Sequence, residues 1–318
     1  MFMTQLLKTI SPIPLAFGGA AISGEGGGYG FGDISEGAAI ELLKEAYSLG
    51  MRIFDSAPIY GFGLSEIRMG KAFKDMRENV FIVSKSGVHW HENKRVDMTN
   101  DPKITQKMLE QSLRDLNTDY IDLYMVHWPD NKVDIRKTVE VLSKAKREGK
   151  IKHIGLCNTY PEDLDRAFEV DRIEVIQSEF NFFTNSFVRE QLLPYAKEKN
   201  MSFMSWGTLD KGILTGRVDE QRKTYDKSDC RSWAPWWKDA DNSLKFEAMK
   251  KIWPQLDETH HNALELALGY NLSFPELSVA ICGAKSSEQL RTLFKALGNL
   301  PEKDLLSKFD ALAKSAKK

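Results

Sequence analysis

Eight short apolar runs recur along the chain with amphipathic segments between them, and this recurrence limits the fold more than any other feature. They are IPLAFGG from residue 13, MRIFDSA from 51, NVFIVSKS from 79, YIDLYMVH from 120, IKHIGLCN from 151, IEVIQSEF from 173, MSFMSWG from 201 and LSVAICG from 277. Most are continuously apolar rather than alternating, as parallel strands covered on both faces read. Helices must therefore flank them. Residues 36–49 place Ile40, Leu43, Ala46 and Tyr47 on one stripe, with Asp33 and Glu36 spaced as a capping box and Gly50 as a stop. The stripe returns over 104–116 with Ile104, Met108, Leu109, Leu113 and Leu116, and over 135–148 with Ile135, Val139, Leu142 and Ala145.

Eight βα units match a closed (β/α)8 TIM barrel, whereas an open doubly wound sheet usually has about five or six strands and, for nucleotides, a glycine fingerprint after the first. Neither GEGGGYG at 24–30 nor GFGLSE at 61–66 satisfies GxGxxG, and GxxxxGK[ST] is missing. No composition break divides the 318 residues, so the expectation is one barrel domain over 1–318. The longest gap lies between the seventh and eighth strands, where 208–260 carries KSDCRSWAPWWKDAD. Three tryptophans in such an insertion suit either a lid over the barrel or a segment packed onto it.

Charge says little about partners, because a formal net charge of -1 creates no field that would recruit nucleic acid or an anionic membrane. Cys157, Cys230 and Cys282 form no CxxC pair, which points away from a disulfide framework and toward a reducing, cytoplasmic setting. No stretch approaches the roughly 20 apolar residues that span a bilayer.

Polar residues close the strands. Asp55 ends the second, Lys85 the third, His127 the fourth, Asn158 the fifth and Gln177 the sixth, with Tyr60 in the loop after Asp55. In a barrel these ends share one mouth, where catalysis takes place. A phenol, an ammonium, an imidazole and a carboxylate together suit hydride transfer to a carbonyl, because negative charge grows on the oxygen and a proton donor must meet it. On this reading Tyr60 donates the proton, Lys85 lowers its pKa from about 10, Asp55 holds Lys85, and His127 orients the carbonyl.

The chain resembles the aldo-keto reductases. FDSAPIYGFGLSE at 54–66 is similar to the family's aspartate-to-tyrosine signature, VSKSG to its lysine strand, LYMVHWPD to its histidine strand and REGKIKHIGLCN to the next βα junction. The resemblance implies a tetrad of Asp55, Tyr60, Lys85 and His127 and a nicotinamide dinucleotide lying extended across the mouth, which accounts for the missing fingerprint. It also implies that Asn158 and Gln177 hold the carboxamide, and that Phe180 stands where many members stack a tyrosine on the nicotinamide ring. Trp206, Gly207, Thr208, Leu209 and Gly212, in SWGTLDKGILTGR, then wrap the pyrophosphate. Lys285, Ser286 and Gln289, in CGAKSSEQLRTL, meet an adenosine 2′-phosphate and favour NADPH over NADH. Departures stand at Cys157, often serine, at Leu293, often asparagine, and at Gln289, an arginine in some subgroups. Tyr29, Trp90 and Trp128 are the expected walls of a pocket for a small-molecule carbonyl substrate, and Glu66 is expected to be structural.

Two other classes stay open. One is a redox-sensing subunit that holds NADP(H) and turns over slowly. The other is a metal-dependent barrel hydrolase, for which HWH at 89–91 offers a ligand spacing and His127, His153, His260 and His261 further ligands, although no metal is expected on the first reading.

Overall fold

A computed structural model describes residues 5–222 and 224–315. Eight parallel strands close a barrel: β1 Leu15–Gly18, β2 Ile53–Asp55, β3 Phe81–Ser86, β6 Ile121–Val126, β7 Ile151–Cys157, β8 Val175–Glu179, β9 Ser202–Trp206 and β10 Leu277–Cys282. Their order is β1-β10-β9-β8-β7-β6-β3-β2, and β1 pairs with both β10 and β2 to complete the ring. Between β3 and β6, β4 Val88–Trp90 and β5 Val96–Met98 form a separate antiparallel hairpin.

Helix α1 Leu6–Ile10 precedes the barrel, and Leu7 with Leu6 and Ile10 packs against its inner apolar cluster, where the Leu7 N–H donates to Ser202 Oγ at 3.0 Å. The helices that follow are α2 Glu36–Ser48, α3 Leu64–Phe73, α4 Pro102–Asp115, α5 Ile135–Arg147, α6 Pro161–Phe168, α7 Leu193–Glu198, α8 Pro235–Lys238, α9 Ser243–Asp257, α10 Ala263–Leu272, α11 Ser287–Leu297 and α12 Lys303–Ser315. Caps set several of their starts. Asp101 accepts from the N–H groups of Lys103 and Ile104 at 2.9 and 3.1 Å, and Asp134 from that of Arg136 at 3.1 Å. The capping box expected from Asp33 and Glu36 does not form. Ser35, immediately before the first helical residue, takes the position instead, and its Oγ accepts from the Ala38 N–H at 3.3 Å.

Strand parity sorts the side chains into two cores. Ala16, Ile53, Phe81, Val83, Leu123, Met125, Cys157, Val175, Met204, Val279 and Ile281 fill the interior of the barrel. Their alternates, such as Phe54, Ile82, Tyr124, Ile176 and Phe203, belong to the larger layer between strands and helices. The same alternation sends the next inward position of each strand, Asp55, Lys85, His127, Gln177 and Trp206, to one mouth.

The segment between β9 and β10 is largely helical, carrying α8, α9 and α10. It is tied to the loop after β1 by the Cys230 N–H to Gly30 O bond at 2.8 Å and the Gly32 N–H to Ser228 O bond at 2.9 Å. Trp233 packs on Tyr29, while Trp237 packs against the outer core. Among the described residues no helix is long and apolar enough to cross a membrane.

Candidate active site

Lys85 organises the mouth. Its side chain is wholly buried, and an ammonium removed from water must find acceptors for all three N–H groups. It finds Asp55 Oδ1 and Oδ2, each at 2.8 Å, and the Ser56 carbonyl at 2.7 Å. Asp55 Oδ2 also accepts from the Gln177 amide at 2.8 Å, so β2, β3 and β8 are joined by one hydrogen-bonded network. The Ser56 carbonyl was not singled out in the sequence, since a backbone acceptor leaves no side-chain signature.

The loop after β2 brings Tyr60 back over this pair. Its path depends on a close approach at Gly28, where a Cβ would come within 2.6 Å of the Gly61 backbone; the Gly61 N–H donates to Gly28 O at 2.7 Å. Tyr60 is half-buried, with Lys85 Nζ 5.5 Å from its ring centre and the His127 ring edge-on at 5.9 Å. All four tetrad residues thus surround one space.

The electrostatics correct one expectation. The Tyr60 phenol is pushed well above its ordinary pKa by burial first and then by Asp55 and Cys157, rather than lowered by Lys85. The physical reason is that taking the phenolate out of water costs most, and the nearby Asp55 carboxylate adds to that cost. Tyr60 therefore keeps its proton at neutral pH. His127 is held well below the usual histidine range by burial and then by the Lys85 ammonium, so its imidazole is neutral and has one N–H to donate.

Asn158 adopts a left-handed φ of 52°, where asparagine is among the better tolerated residues. Its Nδ2 donates to the His127 carbonyl at 3.0 Å, and its Oδ1 accepts from the Trp206 indole N–H at 2.9 Å. Gln177 Oε1 accepts from Cys157 Sγ at 3.4 Å, and burial pushes that thiol far above its ordinary pKa, leaving it unreactive.

Phe180 is not at the mouth. It is fully buried, packed on Phe203, Tyr270 and Phe274 in the outer layer. Parity explains this, since Gln177 points inward and the even positions Ile176 and Phe180 point outward. The aromatic ring that does face the mouth is Trp206, half-buried and two residues beyond the inward Met204.

After β9, Gly207 and Gly212 have φ of 65° and 105°, with Asp210 and Lys211 between them also left-handed at 41° and 53°. Thr208 is buried and donates to the Ile281 carbonyl at 3.0 Å, while Leu209 packs on the outer core, so these two side chains hold the loop to the barrel. Ser286 caps α11 through the Gln289 N–H at 3.2 Å, and Gln289 Oε1 accepts from the Lys285 N–H at 2.8 Å. Lys285 lies beside Gly32, with Asp33, Asp226, Asp229 and Arg231 influencing its charge.

Of the expected pocket walls, Tyr29 and Trp90 join Tyr60, Phe62 and Val96 in one apolar cluster, and Trp128 stands edge-on to Trp206 at 6.5 Å. Glu66 lies outside the barrel interior, wholly buried on α3, accepting from Ser84 Oγ at 2.6 Å. The histidines do not gather at the mouth. His89 and His91 are on the β4–β5 hairpin, His153 stacks on Phe81 deeper in the barrel, and His260 and His261 join α9 to α10.

Known proteins share sequence and fold with this chain. The model of the Aldo/keto reductase family matches residues 14–314. The aldo-keto reductase YhdN of Bacillus subtilis is 34% identical over 276 residues, covering 86% of this chain and 82% of its own. The NADH-specific methylglyoxal reductase of Escherichia coli is 30% identical over 288 residues, covering 86% and 87%. The solved structure of the glycerol dehydrogenase AKR11B4 from Gluconobacter oxydans superposes with a TM-score of 0.81 at 28% identity, covering 95% of this chain and 92% of its own. The chain belongs to the aldo/keto reductase family, whose members are NAD(P)-dependent oxidoreductases of carbonyl and alcohol groups.

Proposed function

We propose that the protein reduces an aldehyde or ketone to an alcohol with NADPH, that Tyr60 is the general acid, and that residues 1–318 act as one catalytic unit. The observation that carries this reading is the closed Lys85–Asp55–Gln177 network with Tyr60 and His127 over it.

The mouth is chemically suited to a nicotinamide dinucleotide. Asn158 and Gln177 have used part of their capacity on protein partners, and each amide oxygen keeps a lone pair for a carboxamide. Trp206, fixed through its indole N–H, offers the stacking face first expected of Phe180. The loop from Gly207 to Gly212 would border the pyrophosphate, its left-handed turn held by the Asp210 N–H to Gly207 O and Gly212 N–H to Leu209 O bonds at 2.8 and 2.9 Å. Lys285 would face the 2′-phosphate, with Ser286 and Gln289 fixing the α11 end beneath it.

When bound, the cofactor supplies the hydride. The chain's own part is to place a carbonyl oxygen between the Tyr60 hydroxyl and the His127 N–H, and to deliver the phenolic proton as charge develops. Lys85 and Asp55 hold that proton donor in position, and the ammonium offsets the phenolate left behind. Tyr29, Trp90 and Trp128 would border the substrate and exclude water. A complete tetrad favours turnover over a purely sensing role, and three free buried cysteines suit the reducing cytoplasm.

Tyr60→Phe should lower the rate of NADPH oxidation against a carbonyl panel by about 100-fold or more while NADPH still quenches tryptophan fluorescence. A variant with full rate would remove Tyr60 from its role. A second cofactor reading rests on the acids around Lys285: Asp33, Asp226 and Asp229 oppose a phosphate dianion, and one relative is NADH-specific. Lys285→Ala should weaken NADPH about tenfold and leave NADH nearly unchanged. Equal losses would favour NADH.

A further inference from the structure

We propose that His89, His91 and Asp97 bind one divalent transition-metal ion of the zinc type on the outer face of the β4–β5 hairpin, and that the ion stiffens the strand carrying Trp90 over the mouth. HxH is a weak signal by itself. The fold adds the third ligand, because antiparallel pairing sets Asp97 directly opposite His89, and period-two alternation puts His91 on the face of His89. One ligating atom from each of the three lies within 4.8 Å of the others. Around an ion with bonds of about 2.0–2.2 Å such atoms sit roughly 3.4 Å apart, so side-chain rotation alone closes the site.

Two further observations point to a cation. His91 Nε2 lies 2.6 Å from Asp97 Oδ2 and 3.0 Å from an Arg95 guanidinium nitrogen. One ring nitrogen cannot both donate to the carboxylate and accept from the guanidinium, whichever tautomer is present. An ion bridging Nε2 and the carboxylate would satisfy both. His89 Nδ1, in turn, is buried and has no side-chain hydrogen-bond partner among the described residues, with only the Asp97 backbone as a hydrogen-bonding neighbour of its ring. Arg95 now supplies positive charge to Asp97 at 2.7 Å, but its side chain is mostly exposed and can leave at small cost. Imidazole with carboxylate is a donor set for zinc or nickel rather than for magnesium or calcium.

The hairpin is built to transmit the effect. Trp90 alternates to the opposite face from the two histidines and meets Phe62 at 5.6 Å, within the cluster that contains Tyr29 and Tyr60. The turn is already pinned by the Lys94 N–H to His91 O bond at 2.8 Å and the His91 N–H to Arg95 O bond at 3.0 Å. An ion joining the two strands would therefore restrict Trp90, not the turn.

The test uses the full, untagged chain stripped with chelator and dialysed against zinc chloride, with bound metal counted by mass spectrometry. One equivalent is expected. His91→Ala and Asp97→Ala should weaken binding by about tenfold or more without changing the melting temperature of the metal-free protein. His261→Ala should bind as wild type does, which separates this site from the His260–His261 pair. Arg95→Ala should bind more tightly, because the competing cation is gone. Nickel should quench tryptophan emission in the wild type and much less in Trp90→Phe. Absence of bound zinc, or wild-type affinity in His91→Ala, overturns the site; equal quenching in Trp90→Phe overturns the link to the mouth.

Discussion

Strand β3 has a buried carboxylate on each side, and the two are accommodated in different ways. Inside the barrel, Asp55 meets the Lys85 ammonium with both oxygens and the Gln177 amide with one. On the helix side, Glu66 meets hydroxyls: Ser84 Oγ donates to Oε1 at 2.6 Å, and Ser112 also favours the ionised acid. Burial, helped by the Asp115 carboxylate, then raises the Glu66 pKa from 4.5 to about 7, opposed only in part by Ser84, Ser112 and the distant field of Lys85. A buried acid is thus stabilised by a cation where chemistry needs charge, and by its own proton where the fold needs only packing. Lys85 and Ser84 are sequence neighbours, so a single step along the pleat separates the two solutions.

Replacing Lys85 with Met would make Asp55 resemble Glu66. It should abolish carbonyl reduction and cost about 3–5 kcal/mol of stability in urea unfolding at pH 8, because a buried charge loses its partner. A loss below about 1 kcal/mol would mean that the charge pair is not what counts there.

Glu66→Gln should act in the opposite direction. The folded wild type binds a proton that the unfolded chain releases above pH 4.5, so wild-type stability falls as pH rises from about 4.5 to about 7 and stays reduced above that. The amide does not titrate. The variant should match wild type near pH 4 and exceed it by about 3 kcal/mol at pH 8, as read from paired denaturation curves. Equal stabilities at pH 8 would place Glu66 with Asp55 as an acid whose charge is already compensated. The smallest effect belongs to Ser84→Ala, about 1 kcal/mol, larger above pH 7 than below because the hydroxyl serves the ionised acid best. A loss confined to low pH would reverse that assignment.

Much of this was legible beforehand because parallel strands alternate and end polar. Asp55, Lys85, His127 and Gln177 could be placed at one mouth from spacing alone. The same parity could have removed Phe180, three residues after an inward Gln177, and promoted Trp206, two after an inward Met204. The tuning of Tyr60 was not legible: it depends on how far the phenol is removed from water and on its approach to Asp55, a question of packing and distance. Nor was the α2 cap, where Asp33 and Ser35 were both chemically suitable and only the chain path chose between them.

The residue order by itself determined the number of barrel strands, their shared direction and which of their side chains face inward, because each follows from local periodicity and burial. Tertiary structure alone decided the raised pKa of Tyr60 and Glu66 and the meeting of Asp97 with His89 and His91. Those outcomes depend on contacts between residues far apart or across a turn, and on how completely water is excluded around them, which no periodicity encodes.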